Sequence, residues 1–134
     1  MIILLKFRFL TAFLILLFLV ASNAYAKPTV YDFAASWCEP CKRDVNRDNI
    51  LNSEGIANFV LVIEDNERAK GEAFVAAAGP NFPVEYDDGH AKANSMGAAG
   101  STPSLVIVGS DGKTEVVMGS IGIDELRAKI KAHS

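Results

Sequence analysis

Both cysteines of the chain, Cys38 and Cys41, stand two residues apart in Trp37-Cys38-Glu39-Pro40-Cys41, directly after the apolar run from Thr29 to Ala35. A strand-like stretch gives way there to a charged, helix-compatible one, so all thiol chemistry is confined to one strand–helix junction. A helix starting at this point directs unpaired backbone N–H groups and the positive end of its macrodipole at the pair, which favours a thiolate over a thiol. The pattern predicts Cys38 at the rim and Cys41 one turn inside. A helix terminus is worth about 0.3–2 kcal/mol to a nearby anion, and one pKa unit is about 1.4 kcal/mol, so the terminus moves a thiol by about one unit. Glu39 sets a carboxylate beside the same sulfur and opposes that shift. A less stabilised thiolate makes a less oxidising disulfide, which points to a reductant or a moderate exchanger. Pro40 suits an early helical position and tunes the first turn.

The first 26 residues read as a secretory leader rather than as part of the fold. Lys6 and Arg8 supply the positive charge, Phe9 to Ala21 the apolar run, and Ala24-Tyr25-Ala26 the small-x-small cleavage pattern. The alternative is an uncleaved membrane anchor, for which the uncharged stretch falls short of the roughly 18–20 residues that a spanning helix needs. Cleavage before Lys27 leaves residues 27–134 as one small domain, and losing Lys6 and Arg8 takes the net charge from −3 to −5. Such an acidic balance gives no footing for nucleic acid or an anionic membrane surface. An exported domain stapled by disulfides ordinarily carries several pairs, and one pair closing a four-residue ring constrains little chain. The pair therefore reads as chemical. Its alternative use as half of a zinc site needs two further ligands, for which His90 and His133 are the obvious candidates.

The rest of the chain alternates. Thr29 to Ala35 and Asn58 to Ile63 read as buried strands, Glu39 to about Ser53 and Glu67 to Ala78 as helices, and Asn81 to Asp88 as a loop bounded by Pro80 and Pro83. His90 to Met96 follows as a short helix. Ser104 to Val108 and Thr114 to Met118 form a hairpin about Ser110-Asp111-Gly112-Lys113, and Asp124 caps a last helix. The first strand–helix–strand unit requires a parallel pair with a right-handed crossover, and the hairpin is antiparallel. The fold class is α/β, a mixed four-stranded sheet with helices on both faces.

These residues together resemble the thioredoxin family. The segment Val30-Tyr-Asp-Phe-Ala-Ala-Ser-Trp-Cys-Glu-Pro-Cys-Lys is similar to the active-site strand and helix of thioredoxins, above all to the exported TlpA-, ResA- and CcmG-like branch. Phe82-Pro83-Val84, Ser101-Thr102-Pro103-Ser104 and Gly119 extend the likeness over residues 27–134. The resemblance implies a thioredoxin fold and a monomeric, exported thiol–disulfide oxidoreductase, working mainly as a reductase in the periplasm or an equivalent space. It needs no cofactor beyond a redox-active Cys38–Cys41 disulfide and no metal. Its partners are disulfide-bearing proteins, apocytochrome c among the candidates, and a membrane dithiol that donates electrons.

Roles follow residue by residue. Cys38 is the nucleophile and Cys41 the resolving thiol. Asp32, six residues before Cys38, is implied as the buried acid that takes the Cys41 proton. Pro103 is implied to be cis beside the dithiol, with Thr102 offering its backbone to an extended substrate. Trp37 shields the pair and supplies contact area, and Gly119 admits substrate backbone. Asp44 matches an acidic position of some exported relatives, although its plainer reading is a solvated helix face. Two rival readings use the same thiols: a disulfide oxidant or isomerase, and a metal-handling module that is not an enzyme.

Overall fold

Val30, Asp32 and Ala34 alternate with Tyr31 and Phe33 along the first strand, and both sets have to be covered because this strand lies at the centre of the sheet. The computed structural model describes residues 27–134; the leader expected over residues 1–26 lies outside them. In chain order the elements are β1 (Thr29–Ala34), α1 (Cys41–Ser53), β2 (Asn58–Ile63), α2 (Arg68–Ala78), β3 (Val84–Tyr86), α3 (Ala91–Met96), β4 (Ser104–Val108), β5 (Thr114–Met118) and α4 (Ile123–Ala132). The sheet runs β3-β2-β1-β4-β5, with β1 parallel to β2, β2 parallel to β3, and both β1–β4 and β4–β5 antiparallel.

The sheet thus has five strands where the sequence predicts four. The added strand is Val84–Tyr86, inside the segment expected to be a loop. Three residues leave no room for a period-two pattern, and the flanking prolines read as boundaries. The strand pairs parallel to β2, with Leu61 opposite Val84, and the Leu61 N–H reaches the Pro83 carbonyl at 2.9 Å.

One face of the sheet carries Val30, Ala34, Phe59, Leu61, Ile63, Leu105 and Ile107. Against them pack Val45 and Leu51 of α1, Leu126 and Ile130 of α4, and Phe74, Val75 and Ala78 of α2. Phe33, Val62 and Val106 point to the other face, where Ala93 of α3 and Ala98 cover them. Helices therefore lie on both faces. Each large apolar side chain so buried contributes about 1.5–3 kcal/mol. Helix α2 approaches β2 closely through Gly71, where a Cβ would stand 2.6 Å from Ile63 Cγ2. Asp124 does not cap α4. Gly122 holds that position, and Asp124 lies in the first turn, where it accepts from Arg127 Nη1 at 2.8 Å. Ile50, next to the fully buried Leu51 on α1, is 53% exposed.

Candidate active site

The parallel β1–β2 pair ends at Ala34 and Ile63, and beyond that edge the chain turns through Ser36 and Trp37 into α1. The Cys38 N–H closes on the Ala35 carbonyl at 3.1 Å and the Cys41 N–H on the Cys38 carbonyl at 3.3 Å, so a tight turn delivers both cysteines to the helix start. Pro40 is the N-cap residue and Cys41 the first helical residue. The two are joined by a disulfide with an S–S distance of 2.08 Å and a Cα–Cα separation of 5.4 Å. Cys38 is 7% exposed and Cys41 not at all, the order of access that the sequence predicts.

Register carries the other expected residues to the same edge. Phe33 pairs with Ser104, which sets Pro103 level with Ala34 in the neighbouring strand, and Ser104 pairs with Met118, which brings Gly119 level with Pro103. The Thr102–Pro103 peptide bond is cis, and the Gly119 N–H donates to the Pro103 carbonyl at 2.9 Å. Glu39 is exposed at the mouth of the turn. Trp37 is 67% exposed, which leaves most of the ring open to solvent or to a partner.

Two groups of charged side chains support this edge. On the β2 side, Thr102 Oγ1 donates to Glu64 Oε2 at 2.9 Å, and Asp65 accepts from the backbone N–H of Ser36 at 2.9 Å and from its hydroxyl. Burial pushes the Glu64 carboxyl up, while the Thr102 hydroxyl and the nearby His90 pull it back. The second group lies under the disulfide. Asp32 shares its face of β1 with Val30 and Ala34, which belong to one cluster with Cys38, Cys41 and Val45, and it is fully buried. Burial raises its pKa well above the usual carboxylate range, and Asp48 beside it raises it further. Arg47 Nε donates to Asp48 Oδ1 at 2.8 Å, its Nη1 to the Ile121 carbonyl at 2.9 Å, and its guanidinium lies 3.7 Å from Asp44 Oδ1 and 3.9 Å from Asp32 Oδ2. Asp44 also accepts from the Ser120 hydroxyl at 2.6 Å. Asp44 is therefore buried, not a solvated face.

Among the described residues no group of three or more His, Cys, Asp and Glu is arranged to hold a metal ion, and no helix is long and apolar enough to cross a membrane. The family model described as Redoxin matches residues 19–124. The chain belongs to the Redoxin family. This redoxin superposes on Mycobacterium tuberculosis DsbF, solved in mixed oxidised and reduced forms, with a TM-score of 0.74, 24% identity and 84% of each chain covered. On a secreted M. tuberculosis disulfide oxidoreductase homologous to Escherichia coli DsbE the TM-score is 0.69, with 20% identity over 83% of this chain and 85% of that one. It is also 37% identical over 75 residues to a thioredoxin H-type of Chlamydomonas reinhardtii, a match covering 54% of this chain and 66% of the relative, just under two-thirds of its length. Within this family and fold, Cys38 and Cys41 form a Cys-x-x-Cys pair joined as a disulfide at the start of α1.

Of the residues singled out in this redoxin from sequence, Cys38, Cys41, Thr102, Pro103 and Gly119 come together at one sheet edge, with Asp32 beneath them. Arg47, Asp48, Glu64 and Asp65 are missed. For Asp48 the signal was available: with Cys41, Val45 and Leu51 it falls at helical spacing on one buried stripe of α1.

Proposed function

We propose that the protein is an exported thiol–disulfide oxidoreductase that works mainly as a reductase of protein disulfides through Cys38 and Cys41. In the reduced form the Cys38 thiolate attacks a substrate disulfide, one substrate sulfur leaves as a thiolate and takes up a proton, and a mixed disulfide remains. Cys41 gives up its proton toward Asp32 and attacks the Cys38 sulfur. The second substrate sulfur leaves, and two electrons have passed from the dithiol to the substrate. A membrane dithiol restores the thiols, and the domain acts as a monomer. Thr102 offers backbone groups to the substrate segment, Gly119 admits it and Trp37 adds contact area, while Glu39 and Pro40 tune the thiolate. Export is supported by the leader-like composition of residues 1–26 and by the secreted M. tuberculosis protein of the same fold.

One observation carries the reductive direction. Beneath the disulfide three carboxyl groups, Asp32, Asp44 and Asp48, face one guanidinium turned on Asp48, so that even with one carboxyl protonated the group carries a net negative charge. Anionic surroundings disfavour a thiolate, and a poorly stabilised thiolate leaves the disulfide hard to reduce and the dithiol a good donor. The test is equilibration with glutathione together with reduction of insulin by the prereduced protein. We expect turnover of insulin and a potential near the thioredoxin value of about −270 mV. A value near that of DsbA, about −120 mV, reverses the direction.

A further inference from the structure

Asp32 is flanked on its face of the sheet by Leu61 of β2 and Leu105 of β4, the residues paired with it on either side. Neither strand brings a charge to it. The charged groups that face it come from α1: Asp44, Arg47 and Asp48, all buried. The segment after β5 contributes the Ser120 hydroxyl and the Ile121 carbonyl, and Cys41 belongs to the same buried cluster as Val30 and Ala34, the residues on either side of Asp32 on its face of β1.

Three buried carboxylates cannot all stay ionised beside one guanidinium, because each unpaired charge in such a place costs several kcal/mol. The donors are unequally shared. Arg47 Nε donates to Asp48 Oδ1 at 2.8 Å, its Nη2 lies 2.8 Å from the same oxygen without a hydrogen bond, and Asp44 has the Ser120 hydroxyl. Neither oxygen of Asp32 has a hydrogen-bond partner among the described residues, and Asp48 Oδ2 has none either. Yet both carboxyls flank one nitrogen of the guanidinium: Arg47 Nη2 lies 2.8 Å from Asp48 Oδ1 and 3.9 Å from Asp32 Oδ2. As two anions they would share that one nitrogen, while both oxygens of Asp32 and Oδ2 of Asp48 stay without a hydrogen bond. A single proton held by the two carboxyls removes one of the buried charges and supplies a donor where there is none.

We propose that Asp48 is the second half of a one-proton carboxyl pair with Asp32, positioned by Arg47, and that this pair takes the Cys41 proton when the disulfide closes and returns it when the disulfide opens. The proposal rests on the exchange function proposed above and adds a residue to it. A lone buried acid is at any one pH mostly a donor or mostly an acceptor. A pair holding one proton is both, since it keeps a vacant oxygen beside an acidic hydrogen.

The step balances. On closure the S–H bond of Cys41 breaks, its proton goes to the vacant oxygen, its sulfur bonds to Cys38, and the bond from Cys38 to the substrate breaks with the electron pair leaving on the substrate sulfur. That thiolate is protonated from solvent. The pair, now carrying two protons, releases one past Asp44, which with Arg43 and Ile50 lines an open groove of about 490 Å³. Asp32 meets the Cys41 proton; Asp48 acts through Asp32 and is a positioning residue.

The test has two readouts. In the oxidised protein, carboxyl-carbon NMR should show the Asp32 and Asp48 signals titrating through the same two steps, and Asp48→Asn should leave Asp32 with a single one. This measurement needs no turnover, so it stands apart from any failure of the exchange function, which would show as an absence of mixed disulfides in a Cys41→Ser variant. In single-turnover closure near neutral pH, Asp32→Asn and Asp48→Asn should each slow the step by on the order of a hundredfold and remove the same limb of the pH profile. The double variant should be no slower than either single one. An Asp48 carbon that stays ionised in one independent step while Asp32 ignores its replacement, or slowing that adds in the double variant, overturns the proposal. If Asp48→Asn does not fold, the titration of the unaltered protein decides alone.

Discussion

The Gly119 N–H donates to the Pro103 carbonyl at 2.9 Å, which ties the end of β5 to the turn that opens β4. Gly119 holds φ at +83°, and a Cβ there would meet nothing within 4 Å. A substitution therefore strains the backbone without a clash and projects a methyl group into the space beside the proposed substrate strand. Gly119→Ala is expected to cost about 1–2 kcal/mol in denaturant unfolding. It should also slow reduction of insulin more than reduction of a small aromatic disulfide, and equal slowing of both would remove the substrate-facing role.

Trp37 presents two-thirds of its surface to solvent. Its loss should leave the fold almost untouched, with Trp37→Ala changing stability by less than about 0.5 kcal/mol. An aromatic contact with a protein partner is worth on the order of 1 kcal/mol, so kcat/KM for a protein disulfide should fall roughly fivefold. Steady-state assays and a melt on the same sample check both halves. A large loss of stability would mean that the ring packs on the domain after all.

Asp32 gives stability a pH dependence of definite sign. Burial raises its folded-state pKa above the unfolded value. The contribution it makes is therefore fully present below the unfolded pKa and is lost as pH rises through the folded one. Asp32→Asn removes the group that is costly when ionised. The variant is expected to be more stable than the parent at neutral and alkaline pH, by about 1.4 kcal/mol for each unit of displacement, with the advantage vanishing toward pH 4. Denaturant midpoints across that range measure it, and an advantage that grows on acidification would contradict the assignment.

Much of this was legible because it is local. The Cys-x-x-Cys pair follows a strand run, Thr102-Pro103 precedes another, and Asp111-Gly112 forms the hairpin turn with Gly112 at φ +82°. Strand β3 was not, since Val84–Tyr86 exists by pairing with β2 and not by any pattern of its own. Arg47 and Asp48 escaped for a related reason. Both sit inside a run of charged and amide residues; Asp48 falls at helical spacing with Val45 and Leu51, whereas for Arg47 only the docking of α1 over Asp32 shows that it is interior. Asp124 fits a cap in sequence, but the helix starts one residue before it and Arg127 engages its carboxylate.

Covalent capture on Cys38 tests the central claim most directly. The Cys41→Ser variant, reduced and then exposed to disulfide-bearing proteins of the cell envelope, is expected to accumulate mixed disulfides that a reductant releases and that Cys38→Ser abolishes. Thiols that yield no adduct with any such protein, and instead bind zinc in stoichiometric amount, would contradict the account.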